Sequence, residues 1–196
     1  MKIRHLRESI NIVKMKIEET GFEGLVVLKP DIYADSRGYF FESYNQEIFK
    51  RAGIEFWPVQ DNESKSIKGV IRGLHYQLKP FDQAKLIRVV NGKIYDVALD
   101  LRKESATFGK WFGIELDSET KNQMLIPKGF AHGFSVLSEI AVIQYKCDNI
   151  YNKQAERGID LKDPALDIDW RTGSTQATIS DKDSHNPSFL NAEYNF

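Results

Sequence analysis

Three side chains that can move protons or stabilise charge fall on strand faces otherwise given to apolar residues. Successive side chains of a strand point to opposite faces, so each β-type run sorts into two sets. Lys85, at the edge of the run Leu86–Val90, shares a face with Ile87 and Val89, and Arg88 lies opposite. In Ala141–Cys147, Tyr145 falls with Ile143 and Cys147, against Gln144 and Lys146. In Val70–Leu78, strict alternation puts His75 with Ile71, Gly73 and Gln77. Taken singly, each has a structural reading: a satisfied core histidine, a tyrosine bonded to a backbone carbonyl, or a lysine that reaches out at a strand end. Burying such groups without partners costs several kcal/mol. A His, a Lys and a Tyr converging on one apolar interior are therefore a candidate ligand site, and proton transfer is the chemistry they offer.

The elements that would position them are mostly short strands. Besides those three runs, Leu25–Leu28, Tyr39–Tyr44, Ile94–Leu101, Trp111–Leu116, Gln123–Ile126 and Gly133–Leu137 are rich in β-branched or aromatic residues, with Gly, Asn, Asp, Ser or Pro usually between them. One short helix interrupts the series, with Asn45 as N-cap, Ile48, Phe49 and Ala52 inside, and Gly53 as terminator. Helices and strands do not alternate along the chain, which argues against a doubly wound parallel sheet. The expectation is an all-β sandwich or closed barrel of the jelly-roll kind with a few short helices. Residues 1–20 read as a leader: Ile10, Val13 and Ile17 fall at helical spacing, and Met15 offers an alternative start. Residues 21–196 read as a single domain whose tail after Asp163 is loop-rich.

Charge and cysteine usage narrow the classes. The 27 basic and 28 acidic residues nearly cancel, so nothing in the overall charge favours nucleic acid or a membrane surface. An anionic ligand would need a local cluster of Arg and Lys. Cys147 is the only cysteine, which excludes an internal disulfide and fits a reducing, cytoplasmic setting. The first residues carry no apolar run of signal-peptide length, and no stretch has the roughly 18 apolar residues of a membrane span.

The blocks RGYFFESYN (Arg37–Asn45), VQDNESKS (Val59–Ser66), GVIRGLHYQ (Gly69–Gln77), KLIRVVNGKIYDVALDLR (Lys85–Arg102), TFGKWFGIELD (Thr107–Asp117), IPKGFAHGFSVLS (Ile126–Ser138), QYKCDNIY (Gln144–Tyr151), DPALDIDW (Asp163–Trp170) and ISDKD (Ile179–Asp183) occur in this order. Together they resemble the dTDP-4-dehydrorhamnose 3,5-epimerase family. The resemblance implies a cupin jelly roll, a homodimer and a metal-free site. The metal-binding cupin pattern agrees on the last point. Its PxGxxH half survives as Pro127–His132, but its HxH half reads His75-Tyr76-Gln77, so one histidine is missing. Departures are minor: Tyr76 stands where the family often has Phe, and Ala106 where it often has Pro.

The reaction so implied removes the protons beside a C4 ketone and returns them to the opposite faces of C3 and C5. It calls for a base, an acid across from it, and a donor for the enolate oxygen, with no redox cofactor. No Gly-rich dinucleotide fingerprint is present. By resemblance, His75 is the base, Asp183 orients it, Lys85 stabilises the enolate and Tyr145 is the acid. His132 would line the same pocket. The nucleotide would meet Arg37, Glu42, Gln60, Asn62, Arg72, Glu156 and Lys182, with Tyr33 and Tyr151 as stacking surfaces. Arg37 lies in a stretch that in the family approaches the dimer interface, so it could serve either subunit. The same residues also suit a mono-epimerase acting at C3 or C5 alone. A non-catalytic sugar-binding cupin, and after it a metal-dependent oxygenase, are the remaining alternatives.

Overall fold

Residues 15–196 are described by the computed structural model, and strands dominate them. β1 (Met15–Glu19) and β2 (Val26–Pro30) are followed by a small hairpin, β3 (Tyr33–Asp35) and β4 (Gly38–Phe40), and by α1 (Gln46–Arg51). The body comprises β5 (Gln60–Ile67), β6 (Ile71–Gln77), β7 (Lys85–Asn91), β8 (Lys93–Asp100), β9 (Trp111–Asp117), β10 (Gln123–Ile126), β11 (Phe130–Val136) and β12 (Ile140–Cys147). After β13 (Glu156–Gly158), the tail carries α2 (Asp181–Ser184) and a 3-10 turn at Phe189–Asn191.

The strands form a six-stranded sheet in the order β1-β2-β10-β7-β12-β5 and a five-stranded sheet in the order β13-β6-β11-β8-β9. Inward residues of both, including Ile87, Val89, Ile143, Ala98, Phe130 and Phe134, pack into one apolar core. Two antiparallel sheets closed face to face in this way are the jelly roll expected from the strand-rich sequence.

The tail is a packed layer. Leu74, Tyr76, Val97 and Leu99 on the outer face of the five-stranded sheet bury against Ile159, Leu161, Leu166 and Trp170. Polar ties fix its path: Trp170 Nε1 donates to Leu161 O at 2.7 Å, and Trp111 Nε1 to Leu166 O at 2.8 Å. This layer carries α2 back over one end of the barrel.

α1 follows its sequence signals. Asn45 Oδ1 accepts from the N–H groups of Glu47 and Ile48, Phe49 is buried, and Ala52 forms the C-cap before Gly53 turns the chain at φ 73°. The leader reading changes. Ile10 and Val13 lie outside the described residues, whereas Ile17 sits in strand β1, not in a helix, and β1 pairs along its whole length with β2. That ladder, with Met15 and Ile17 packed on a third apolar cluster, outweighs the weak helical spacing.

One irregularity matters for the site. His132 pairs with His75 and Phe134 with Arg72, so β6 has one residue more than β11 between the two pairs. This bulge, at Gly73 and Leu74, breaks strict alternation. Arg72 joins His75 on the inward face, and Ile71 moves to the outer cluster. Gly73 sits at φ 129°, and a Cβ there would meet Gly133 Cα at 2.5 Å. Gly73→Ala is expected to destabilise the fold by about 2 kcal/mol or more, read as a lower urea midpoint. An unchanged midpoint would show that the bulge tolerates a side chain.

Candidate active site

The register gathers the polar side chains before any contact is considered, because directly paired residues of antiparallel strands share a face. Tyr145 of β12 pairs with Asn62 of β5 and Ile87 of β7, while Cys147 pairs with Gln60 and Lys85. On the opposite sheet Gln77 pairs with Glu156, and His75 pairs with both Gly158 and His132. Gln60, Asn62, His75, Gln77, Lys85, Tyr145, Cys147, Tyr151 and Glu156 accordingly line one cleft of about 130 Å³. A larger groove of about 460 Å³ lies elsewhere, between β1, the residues after α1 and Pro127–Lys128, and it holds none of these acid–base groups.

His75 and Asp183 meet as the sequence reading anticipated. Ser180 caps the four-residue α2, accepting from the Asp183 N–H at 3.1 Å, and so orients the turn that carries the carboxylate. Asp183 is buried, and its Oδ1 lies 2.6 Å from His75 Nε2. Its Oδ2 accepts from the Gly73 N–H at 3.4 Å. Burial alone would raise the Asp183 carboxyl, but the His75 hydrogen bond and charge, with the Gly73 and Ser180 donors, hold it below the usual carboxylate range. An ionised carboxylate only accepts, so the His75 Nε2–H donates to it and Nδ1 is left as the basic nitrogen.

Lys85 and Tyr145 occupy the opposite wall. Lys85 keeps some contact with solvent, yet its dense surroundings push the ammonium below the ordinary lysine range, against the pull of the Asp96 and Glu156 carboxylates. Burial first, then Cys147 and Glu156, raise the Tyr145 hydroxyl against the pull of Arg72. Tyr145 is thus a protonated donor throughout the neutral range. Burial also pushes the Cys147 thiol up to about 11, in spite of Lys85, so it lines the wall as a neutral group.

Charged residues frame the mouth. Lys182 Nζ lies 2.6 Å from Glu156 Oε2, which also accepts from the Tyr151 hydroxyl at 2.9 Å. Burial would raise Glu156, but Lys182 and Tyr151 outweigh it and hold the carboxyl low. Gln60 Oε1 accepts from the Tyr151 N–H at 2.8 Å, and Gln60 Nε2 donates to Asn62 Oδ1 at 2.9 Å. Arg72 Nε donates to Ser66 Oγ at 3.0 Å. His132 lies deeper, its Nε2 2.7 Å from Oδ1 of the fully buried Asp96.

Tyr33, Arg37 and Glu42 are not brought to the cleft of their own chain. Tyr33 and Arg37 sit on the exposed β3–β4 hairpin, where Arg37 pairs with Asp35, and Glu42 accepts from Asn45 Nδ2 beside α1. Sequence reasoning passed over Gln77, Gln83, Cys147 and Asp96. Alternation already put Gln77 beside His75 and Cys147 beside Tyr145. Gln83 is a loop residue with no such signal.

A family model described as dTDP-4-dehydrorhamnose 3,5-epimerase matches residues 19–191. A dTDP-4-dehydrorhamnose 3,5-epimerase of Shigella flexneri is 47% identical over 188 residues, covering 94% of this chain and 99% of that protein. Among solved structures, an enzyme of the same name from Elizabethkingia anophelis is 46% identical with a TM-score of 0.86, over 90% of this chain and 97% of that one. A dTDP-6-deoxy-D-glucose-3,5-epimerase from Legionella pneumophila, solved in complex with dTDP-4-keto-L-rhamnose, is 45% identical with a TM-score of 0.85, over 89% of this chain and 93% of that one.

Proposed function

The chain belongs to the dTDP-4-dehydrorhamnose 3,5-epimerase family, and we propose that it inverts C3 and C5 of dTDP-4-dehydro-6-deoxy-D-glucose to give dTDP-4-dehydro-L-rhamnose. The observation that carries this reading is a single cleft lined by a carboxylate-paired histidine, a lysine and a protonated tyrosine. The C4 ketone acidifies the protons on its neighbouring carbons. His75 Nδ1 takes one, and Asp183 stabilises the imidazolium that forms. Lys85 is better matched to the developing enolate oxygen than to a neutral ketone, so it favours the transition state over the substrate. Tyr145 returns a proton from the opposite face. Because the ketone supplies the electron sink, neither a redox cofactor nor a metal is assigned to the reaction.

Arg72 and Lys182 are assigned to the diphosphate, which a guanidinium fork and an ammonium both suit. Gln60, Asn62, Tyr151 and Glu156 are assigned to the nucleoside, and His132 to the pocket floor. We also infer a homodimer in which the hairpin bearing Tyr33 and Arg37, with Glu42 behind it, serves the partner's cleft. The exposed rings of Tyr33, Tyr39, Phe40 and Trp57 support such a contact. A lone cysteine and a nucleotide-linked substrate favour the cytoplasm. Among the described residues, no helix is long and apolar enough to cross a membrane.

The test is product identity. Purified protein incubated with dTDP-4-dehydro-6-deoxy-D-glucose should yield the L-configured 4-dehydro sugar by proton NMR ring couplings; an unchanged ring would overturn the reading.

The lowered Lys85 ammonium sets a pH dependence. Lys85 acts only when protonated, so activity falls as pH rises through its pKa, and burial has moved that point below the ordinary lysine range. Tyr145 moves the other way and stays protonated. The alkaline limb of kcat/KM is therefore expected below the ordinary lysine range, and Lys85→Arg should shift it upward even while slowing turnover. A limb unmoved by Lys85→Arg would assign it to another group.

A further inference from the structure

We propose that Gly158 and Asn186 form a positioning pair that seats the Asp183 carboxylate against His75, an inference that rests on the base assignment above. Gly158 pairs directly with His75, so the space a side chain at Gly158 would fill lies on the His75 face of the sheet. That space is occupied by Asn186: a Cβ built on Gly158 would overlap the Asn186 amide at Nδ2, Oδ1 and Cγ. Gly158 is not among the glycines with positive φ, so its backbone does not itself require glycine. A side chain there could be seated only by turning the Asn186 amide out of the recess.

Asn186 Nδ2 is buried and has no hydrogen-bond partner among the described residues. A donor buried without a partner is unfavourable and persists only where the surrounding structure fixes it. Here the fixing contacts run along the tail. Lys182 meets Glu156 at 2.6 Å, the Asp160 N–H donates to Pro187 O at 2.8 Å, and the Phe189 N–H donates to Asp163 Oδ2 at 2.6 Å. Asn186 stands between these ties. Its own N–H reaches back to the Asp183 carbonyl at 3.5 Å, closing the turn that carries the carboxylate. Displacing Asn186 from the Gly158 recess therefore moves Asp183 relative to His75. Misplacements of about 1 Å in such a site cost up to about 100-fold in rate.

The test is a double-mutant cycle on the full chain, reading kcat, KM and dTDP affinity. Gly158→Ala pushes the amide out and should lower kcat about 10- to 100-fold, with KM and dTDP affinity within about twofold. Asn186→Ala removes atoms and adds none, so the fold should be kept, with kcat down about three- to fivefold and less than in Gly158→Ala. The pair Gly158→Ala/Asn186→Ala should return to the level of Asn186→Ala alone, because the overlap is gone. Wild-type kcat in Gly158→Ala, or a double variant no better than Gly158→Ala, would overturn the proposal. If Gly158→Ala does not fold, Asn186→Ala decides by itself, and unchanged kcat there overturns it. His75→Asn assayed in parallel separates the two levels. Solvent exchange surviving in His75→Asn sinks the base assignment, whereas its loss there with a silent Gly158 series sinks only the positioning pair.

Discussion

His75→Asn is expected to abolish exchange of the substrate's C3 and C5 protons with solvent while leaving dTDP binding within about twofold of the parent protein. Asparagine retains a polar group facing Asp183 but has no basic nitrogen at neutral pH. The loss should reach about 100- to 10,000-fold, the range for removal of a positioned general base. Of the nucleotide-binding side chains proposed at the mouth, Arg72 bonds to Ser66 while Lys182 and Tyr151 both bond to Glu156, and none of them bonds to the imidazole. Binding and chemistry should therefore separate. Exchange at the parental rate in this variant would remove His75 from the mechanism.

Tyr145→Phe should separate proton removal from inversion. The variant keeps His75, Asp183 and Lys85, so the enolate still forms, and His75 can return a solvent proton to the face it came from. In heavy water the expected product is deuterated substrate of unchanged configuration, with inversion slowed about 100-fold or more. The Tyr145 hydroxyl is held protonated chiefly by burial, which suits an acid and gives it little tendency to act as a base. Inversion at the parental rate in Tyr145→Phe would assign the acid elsewhere.

Much of this site was legible in the sequence because strands encode it in a period of two. Lys85 with Ile87 and Val89, and Tyr145 with Ile143 and Cys147, fall on the faces alternation assigned. The same rule misplaced Arg72 and Ile71, because the extra residue at the Gly73 bulge has no signature that distinguishes it from an ordinary strand glycine. β5 was missed for a related reason. Its inward residues are Gln60, Asn62, Ser64 and Ser66, so the strand that walls the cleft carries no apolar alternation. Asp183 was reached by resemblance alone. Its approach to His75 depends on a tail held by Trp170, Leu166 and Ile159 against the outer face of the sheet, a packing that local pattern does not report. β1 shows the limit of helical spacing: pairing with β2 decides the conformation of Met15–Glu19.

One base, His75, serves both carbons beside the ketone in the proposed reaction. Proton NMR of dTDP-4-dehydro-6-deoxy-D-glucose incubated with this protein in heavy water follows both carbons at once. Deuterium should appear at both C3 and C5 of a product inverted at both centres. Deuterium at one carbon only, or at neither, would contradict this assignment.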